Sequence, residues 1–176
     1  MRTDTRRARL MVGTIGALTA AVLGLSASPA AASGTYSGRA YVYGGGAFAD
    51  DWNDEGIVST GTNRQSNATC LWQKILWADG KLAASGIDGD FGTGTYNATR
   101  AWQDLWEGLG VDGSAGRDTW TQAGKWLRDI DGNGAVDTYI GLVRNFTISR
   151  DSDGRYHFPD GSGSGRIAGY DYRTCS

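Results

Sequence analysis

Apolar side chains return at the spacing of a helix between residues 67 and 127, and outside that stretch they do not. Leu71, Trp72, Ile75 and Leu76 share one face of a helix that Ser66 or Asn67 can cap and Gly80 can stop. Ala98, Ala101, Trp102 and Leu105 stand at i, i+3, i+4 and i+7, which predicts a second helix over about 93–107 with Gly108 after it. Trp120, Ala123 and Leu127 predict a third over about 117–128. Three short helices can enclose one small core. From 129 the pattern is β-rich: 138–143, then 145–149, a turn at 151–154, a strand at 155–158, a Gly/Ser turn at 161–165 and a last strand within 166–172. Ahead of 62 the chain is Gly-rich. Residues 40–43 predict a short strand that Gly44, Gly45 and Gly46 end, and Asp50, Asp51, Asp54 and Glu55 predict a solvated loop.

The first 32 residues read differently. Arg2, Arg6, Arg7 and Arg9 precede an apolar run over 10–25, and small residues at Ala30 and Ala32 flank a cleavage point. That order is a secretory signal peptide cut after Ala32. A membrane anchor is disfavoured, because the run is short and rich in Gly, Ala and Thr. Arg6-Arg7 allows a twin-arginine route, but Arg9 favours the general one. The expected organisation is 1–32 signal, 33–61 Gly-rich aromatic segment, 62–128 helical domain and 129–176 β-rich extension.

Export changes the charge. The chain has 17 basic and 19 acidic groups; the signal holds four Arg and one Asp, leaving 13 against 18, or −5. Nucleic acid is therefore not an expected partner, nor is a membrane after cleavage. The two cysteines, Cys70 and Cys175, both lie in the exported part and are expected to form one disulfide.

One motif occurs twice. Asp88-Gly89-Asp90-Phe91-Gly92-Thr93-Gly94-Thr95 and Asp112-Gly113-Ser114-Ala115-Gly116-Arg117-Asp118-Thr119 share D-G-x-x-G-x-x-T, each just before a helical segment. The Asp accepts backbone N–H bonds within a turn, the next Gly supplies positive φ, and the second Gly enters the helix. Ile87 and Val111, just ahead of the turns, are expected to plug the core.

This pattern resembles the peptidoglycan-binding domain family, three-helix modules of bacterial cell-wall hydrolases. The resemblance covers about 66–127 and rests on Gln73, Leu76 and Gly80, on Asp88 to Gly92, on Thr95, Ala98, Trp102 and Gln103, and on Gly108-Leu109, Asp112, Gly113, Gly116, Thr119 and Trp120. Thr93 and Arg117 replace a frequent proline, and Thr99 a usual aliphatic. The first-helix start and Cys-ended tail also look like small secreted proteins of Gram-positive bacteria. The resemblance implies a non-catalytic module with a shallow groove. Lys74 or Arg100 would pair with stem carboxylates, Tyr96 or Trp77 would pack on a sugar or methyl, and Asp88, Asp90 and Phe91 would shape one wall.

The chemical inventory points away from an enzyme. His157 is the only histidine, too few for a hydrolytic zinc site, and no G-x-S-x-G precedes a helix. A carboxylate pair for glycoside cleavage would need a cleft larger than this module offers. Asp129, Asp131, Asn133, Gly134 and Asp137 fill calcium-loop positions, but Ile140 stands where the bidentate Glu belongs, so a polar turn is expected. Trp72, Trp102 and Trp120 are expected in the core. Trp77, Tyr96, Trp106 and Trp126 fall off the core stripes, covering core edges or offering stacking faces for sugar rings. The expected fold is mainly α with a small β addition, a three-helix bundle plus a C-terminal antiparallel hairpin or meander tied by one disulfide. The expected function is non-catalytic wall binding without cofactor or metal. A wall hydrolase or accessory, and a protein-interaction module, are the alternatives.

Overall fold

A computed structural model describes residues 37–175; the expected signal peptide lies outside the described residues. Three helices form in the order expected: α1 (Asn67–Ala78), α2 (Thr93–Gln103) and α3 (Arg117–Gly124). Short 3-10 turns occupy Phe48–Asn53 and Ala84–Gly86. Ser66 caps α1 by accepting the Thr69 N–H at 3.0 Å.

The β part is larger than a single hairpin, so the fold is more mixed than the expected mainly-α one. Strands β1 (Leu127–Arg128), β2 (Thr138–Ile140) and β3 (Asn145–Thr147) form one antiparallel sheet, and β4 (Ser149–Arg150), β5 (Tyr156–Pro159) and β6 (Gly165–Ile167) a second. Leu127 thus belongs to a strand, opposite Tyr139, and not to the third helix. The expected strand at 40–43 is two isolated bridges, Tyr41 to Gly169 and Tyr43 to Arg155.

The second helix also corrects the sequence reading. It ends at Gln103, and Ala101 and Leu105 face solvent. Its buried positions are Thr95, Ala98, Thr99, Trp102 and Gln103. Three of these five are polar, so an apolar template set the stripe one position off. Their polar atoms are satisfied inside: Thr99 Oγ1 donates to the Thr95 carbonyl and accepts from Trp72 Nε1, both at 2.8 Å. Val111 is another correction: it is exposed, whereas its counterpart Ile87 is buried.

Nearly all of α1 is buried, because α2, the 84–86 turn, β6 and the C-terminal tail pack around it. The hydrophobic core joins Val42, Trp52 and Val58 from the N-terminal segment, Trp72, Trp102 and Trp120 from the helices, and Tyr139, Tyr156 and Phe158 from the sheets. Trp52 meets Trp120 edge-on with ring centroids 5.4 Å apart. Asp79, just past α1, ties three parts together: it accepts from Trp102 Nε1 at 2.6 Å, Tyr139 OH at 3.1 Å and the Leu142 N–H at 2.7 Å. The acidic N-terminal loop is only partly solvated. Asp51 is buried and accepts from Arg150 and Tyr156. Glu55 is fully buried, accepting the Tyr43 N–H at 2.7 Å and Tyr170 OH at 2.6 Å. The disulfide forms between Cys70 and Cys175, 105 residues apart, and holds the chain end against α1.

Candidate functional site

The two Asp-Gly turns are built alike. Gly89 and Gly113 adopt φ of 72° and 78°, the left-handed region that glycine enters without penalty. Asp88 Oδ1 accepts the Asp90 N–H at 2.9 Å, and Asp112 Oδ1 the Ser114 N–H at 2.8 Å. Gly92 and Gly116 lead into α2 and α3 with nearly the same backbone angles. Each turn also bridges an earlier segment, Gln65 to Asp90 and Val58 to Ala115.

A glutamine from the preceding helix closes each turn. Gln73 Oε1 accepts from the Asp88 and Gly89 amides at 3.0 and 2.7 Å. Its Nε2 donates to Asp88 Oδ1, the Asp90 carbonyl and Thr95 Oγ1 at 2.8–3.0 Å. Gln103 Oε1 accepts from the Gly113 amide at 2.8 Å, and its Nε2 donates to Asp112 Oδ1, the Ser114 carbonyl and Thr119 Oγ1 at 2.9–3.1 Å. Both glutamines are essentially buried. A single carboxamide has a donor and an acceptor end, which is what a turn with inward amides, a carbonyl and a carboxylate requires.

Residues 65–122 match the family model described as "Putative peptidoglycan binding domain". That segment is similar to peptidoglycan-binding domains. The match spans 58 of the 176 residues (65 to 122 inclusive) and includes both turns and both glutamines. No curated protein and no solved structure matches the chain.

Within this segment the candidate ligand residues are dispersed. Phe91 is fully buried, so its side chain sits in the core and forms no groove wall. Lys74 is covered by the tail. Its Nζ donates to the Asp160 carbonyl at 3.1 Å and lies 4.5 Å from the Trp77 ring centroid. Burial lowers the Lys74 pKa, with the nearby Asp160 charge opposing. Arg144 also lies over Trp77, at 5.3 Å. Asp88 is exposed beside the first turn, and Asp90 pairs with Arg64 at 2.6 Å, a bond that lowers its pKa. Arg100 is exposed on α2. Tyr96 packs over Gly113, where a Cβ would lie 2.3 Å from its ring, so it belongs with the second turn and not the first.

Two concavities flank the turns. The first, of about 450 Å³, is walled by Ala84, Ser85, Ile87 and Asp88 and by Gly161 and Ser162 of the tail. The second, of about 330 Å³, is lined by Leu109, Asp112, Ser114, Arg117, Asp118 and Thr119, with no tail residue. Sequence reasoning placed the groove at the first turn. At the second turn the concavity is lined by Arg117 and Asp118, charged residues inside the second copy of the repeat.

Elsewhere, Asp129, Asp131 and Asp137 bring carboxylate oxygens within 4.8 Å of one another. The loop's own amides already bond them: Asp129 accepts from Gly132 and Gly134, both at 2.7 Å, and Asp137 from Ile130 and Asp131 at 2.9 and 3.0 Å. Strand β2, and no helix, follows the loop. His157 Nε2 lies 2.8 Å from Asp151 Oδ2, and Arg155 binds the same oxygen at 2.8 Å. Ser149 is opposite His157 in register, and no hydrogen bond joins their side chains.

Proposed function

We propose that this protein is an exported, non-catalytic binder of peptidoglycan, retained at the cell wall. The observation that carries this reading is the coincidence of the family match over 65–122 with two complete glutamine-clamped turns. A bound wall fragment needs a rigid surface, and a turn whose inward groups are satisfied supplies one. The basic and apolar run at the start of the chain supports export, as does a disulfide, which persists in oxidising compartments. No helix among the described residues is long and apolar enough to cross a membrane. The Gram-positive setting rests on the resemblance of the first-helix start and Cys-ended tail to small secreted proteins of those bacteria.

The non-catalytic part of the proposal follows from the placement of the nucleophile and base candidates. Cys70 is in the disulfide, and His157 is held by an aspartate without a hydroxyl on its other nitrogen. Pull-down on purified, protein-free cell walls at low and moderate salt tests the binding. Recovery in the pellet is expected, and full recovery in the supernatant contradicts it. Zymography on wall-containing gels separates this reading from a hydrolase, since only an enzyme clears the gel.

A further inference from the structure

We propose that the groove beside the second Asp-Gly turn is the wall-contacting site. Its ligand is the peptide stem, taken through a carboxylate and an amine, and not the glycan strand; this rests on the wall-binding reading above.

The internal repeat supplies two similar turns, but their surroundings differ. At the first turn the tail forms one wall through Gly161 and Ser162, and the nearest buried cation, Lys74, is bonded to the Asp160 carbonyl. At the second turn the groove is formed wholly by the α2–α3 connection and the start of α3. Its volume of about 330 Å³ is at the small end for ligand sites and suits a short peptide better than a polymer.

Opposite charges ring this groove with bonding capacity left over. Arg117 is fixed at one end, its Nε donating to the Asn53 carbonyl at 2.6 Å, and its terminal nitrogens have no partner among the described residues. One oxygen of Asp112 is held by Gln103 and the Ser114 amide, which leaves the other. Asp118 is exposed and has no side-chain partner among the described residues. A guanidinium and two carboxylates around one small groove match a zwitterion, whose carboxylate pairs with Arg117 and whose amine pairs with the acids. Stem peptides carry both groups, and glycan strands offer no amine of that kind. Half-buried Leu109 adds an apolar surface for an alanine methyl.

Sugar stacking lacks an equivalent platform in this domain. Trp72, Trp102 and Trp120 are buried, cations lie over Trp77, and the Trp106 N–H is buried. The Gln103 clamp and the Tyr96 ring against Gly113 keep the groove floor rigid.

The test is co-sedimentation of the protein with protein-free walls, competed by soluble stem tetrapeptide or by peptide-free glycan strands. Arg117→Gln and Asp118→Asn are compared with Ser85→Arg, which fills the first groove. Thermal melts confirm folding. We expect Arg117→Gln to weaken wall binding about tenfold or more, Ser85→Arg to bind normally, and only the tetrapeptide to compete. Undiminished binding by both groove variants, competition by glycan alone, or loss of binding in Ser85→Arg overturns the inference while leaving wall binding intact. Failure of the unaltered protein to sediment overturns the wall-binding reading and this inference together.

Discussion

Gln73 and Gln103 perform the same task 30 positions apart: each buried carboxamide closes the Asp-Gly turn that starts the next helix. Gln73 makes five hydrogen bonds to its turn and Gln103 four. The helices are short, so their orientation depends on these turns more than on intrinsic helix stability.

Removing either glutamine leaves buried amides and a carbonyl without partners, which costs more than the bonds themselves contribute. Gln73→Ala should destabilise the protein by about 3 kcal/mol and Gln103→Ala by about 2 kcal/mol. Glutamate at either site should be no better, because it lacks the N–H donors. Urea unfolding midpoints at constant m-value check this ordering.

Gly113 and Gly132 separate backbone strain from steric clash. Both have positive φ, 78° and 75°. A Cβ at Gly132 meets open space, whereas one at Gly113 would lie 2.3 Å from the Tyr96 ring. Gly132→Ala should cost about 1 kcal/mol, the backbone penalty alone. Gly113→Ala should cost at least about 2 kcal/mol, because Tyr96 must also move. Thermal melts of the two variants side by side read the difference.

Glu55 makes stability fall as pH rises. Burial pushes its carboxyl up to about 8, although bonds from Tyr170 and the Tyr43 amide oppose that shift. The folded protein therefore holds a proton that the unfolded chain releases near its ordinary value of 4.5. This stabilising contribution is complete below about 4.5 and declines as pH rises toward about 8. The loss is on the order of 4 kcal/mol across the window. Glu55→Gln should flatten the slope. Asp160, lowered to about 2 by bonds from Ser162 and Arg166 that outweigh its burial, acts only at the acid end. Denaturant titrations from pH 5 to 8.5 test the slope.

Reduction should release the tail. The Cys70–Cys175 bridge closes a loop across a separation of 105 residues, for which the chain-entropy estimate is about 4–5 kcal/mol. The paired Cys70→Ala and Cys175→Ala variant should lose stability of that order. Unfolding midpoints with and without reductant check it, and the double variant should show no response to reductant.

The helices and the repeated turns were legible because the chain writes them locally, in apolar period and in Asp-Gly pairs. The α2 stripe was misplaced because Thr95, Thr99 and Gln103 are buried as hydrogen-bonded polar residues, which an apolar count passes over. The burial of Lys74 depends on Asp160, 86 residues away, and one wall of the first-turn groove on Gly161 and Ser162, and no local pattern announces those contacts. The same holds for Trp52, whose packing on Trp120 and Tyr156 is set by how the N-terminal segment folds back. Arg117 was visible only as a departure from a frequent proline, and Asp118 only as an unassigned position of the repeat.

A binding isotherm on wall sacculi of known mass, with suspension turbidity followed in the same tubes, tests the central claim most directly. The account predicts saturable removal of the protein from solution while turbidity stays constant. Protein that remains in solution at every wall mass, or turbidity that falls as the walls dissolve, contradicts it.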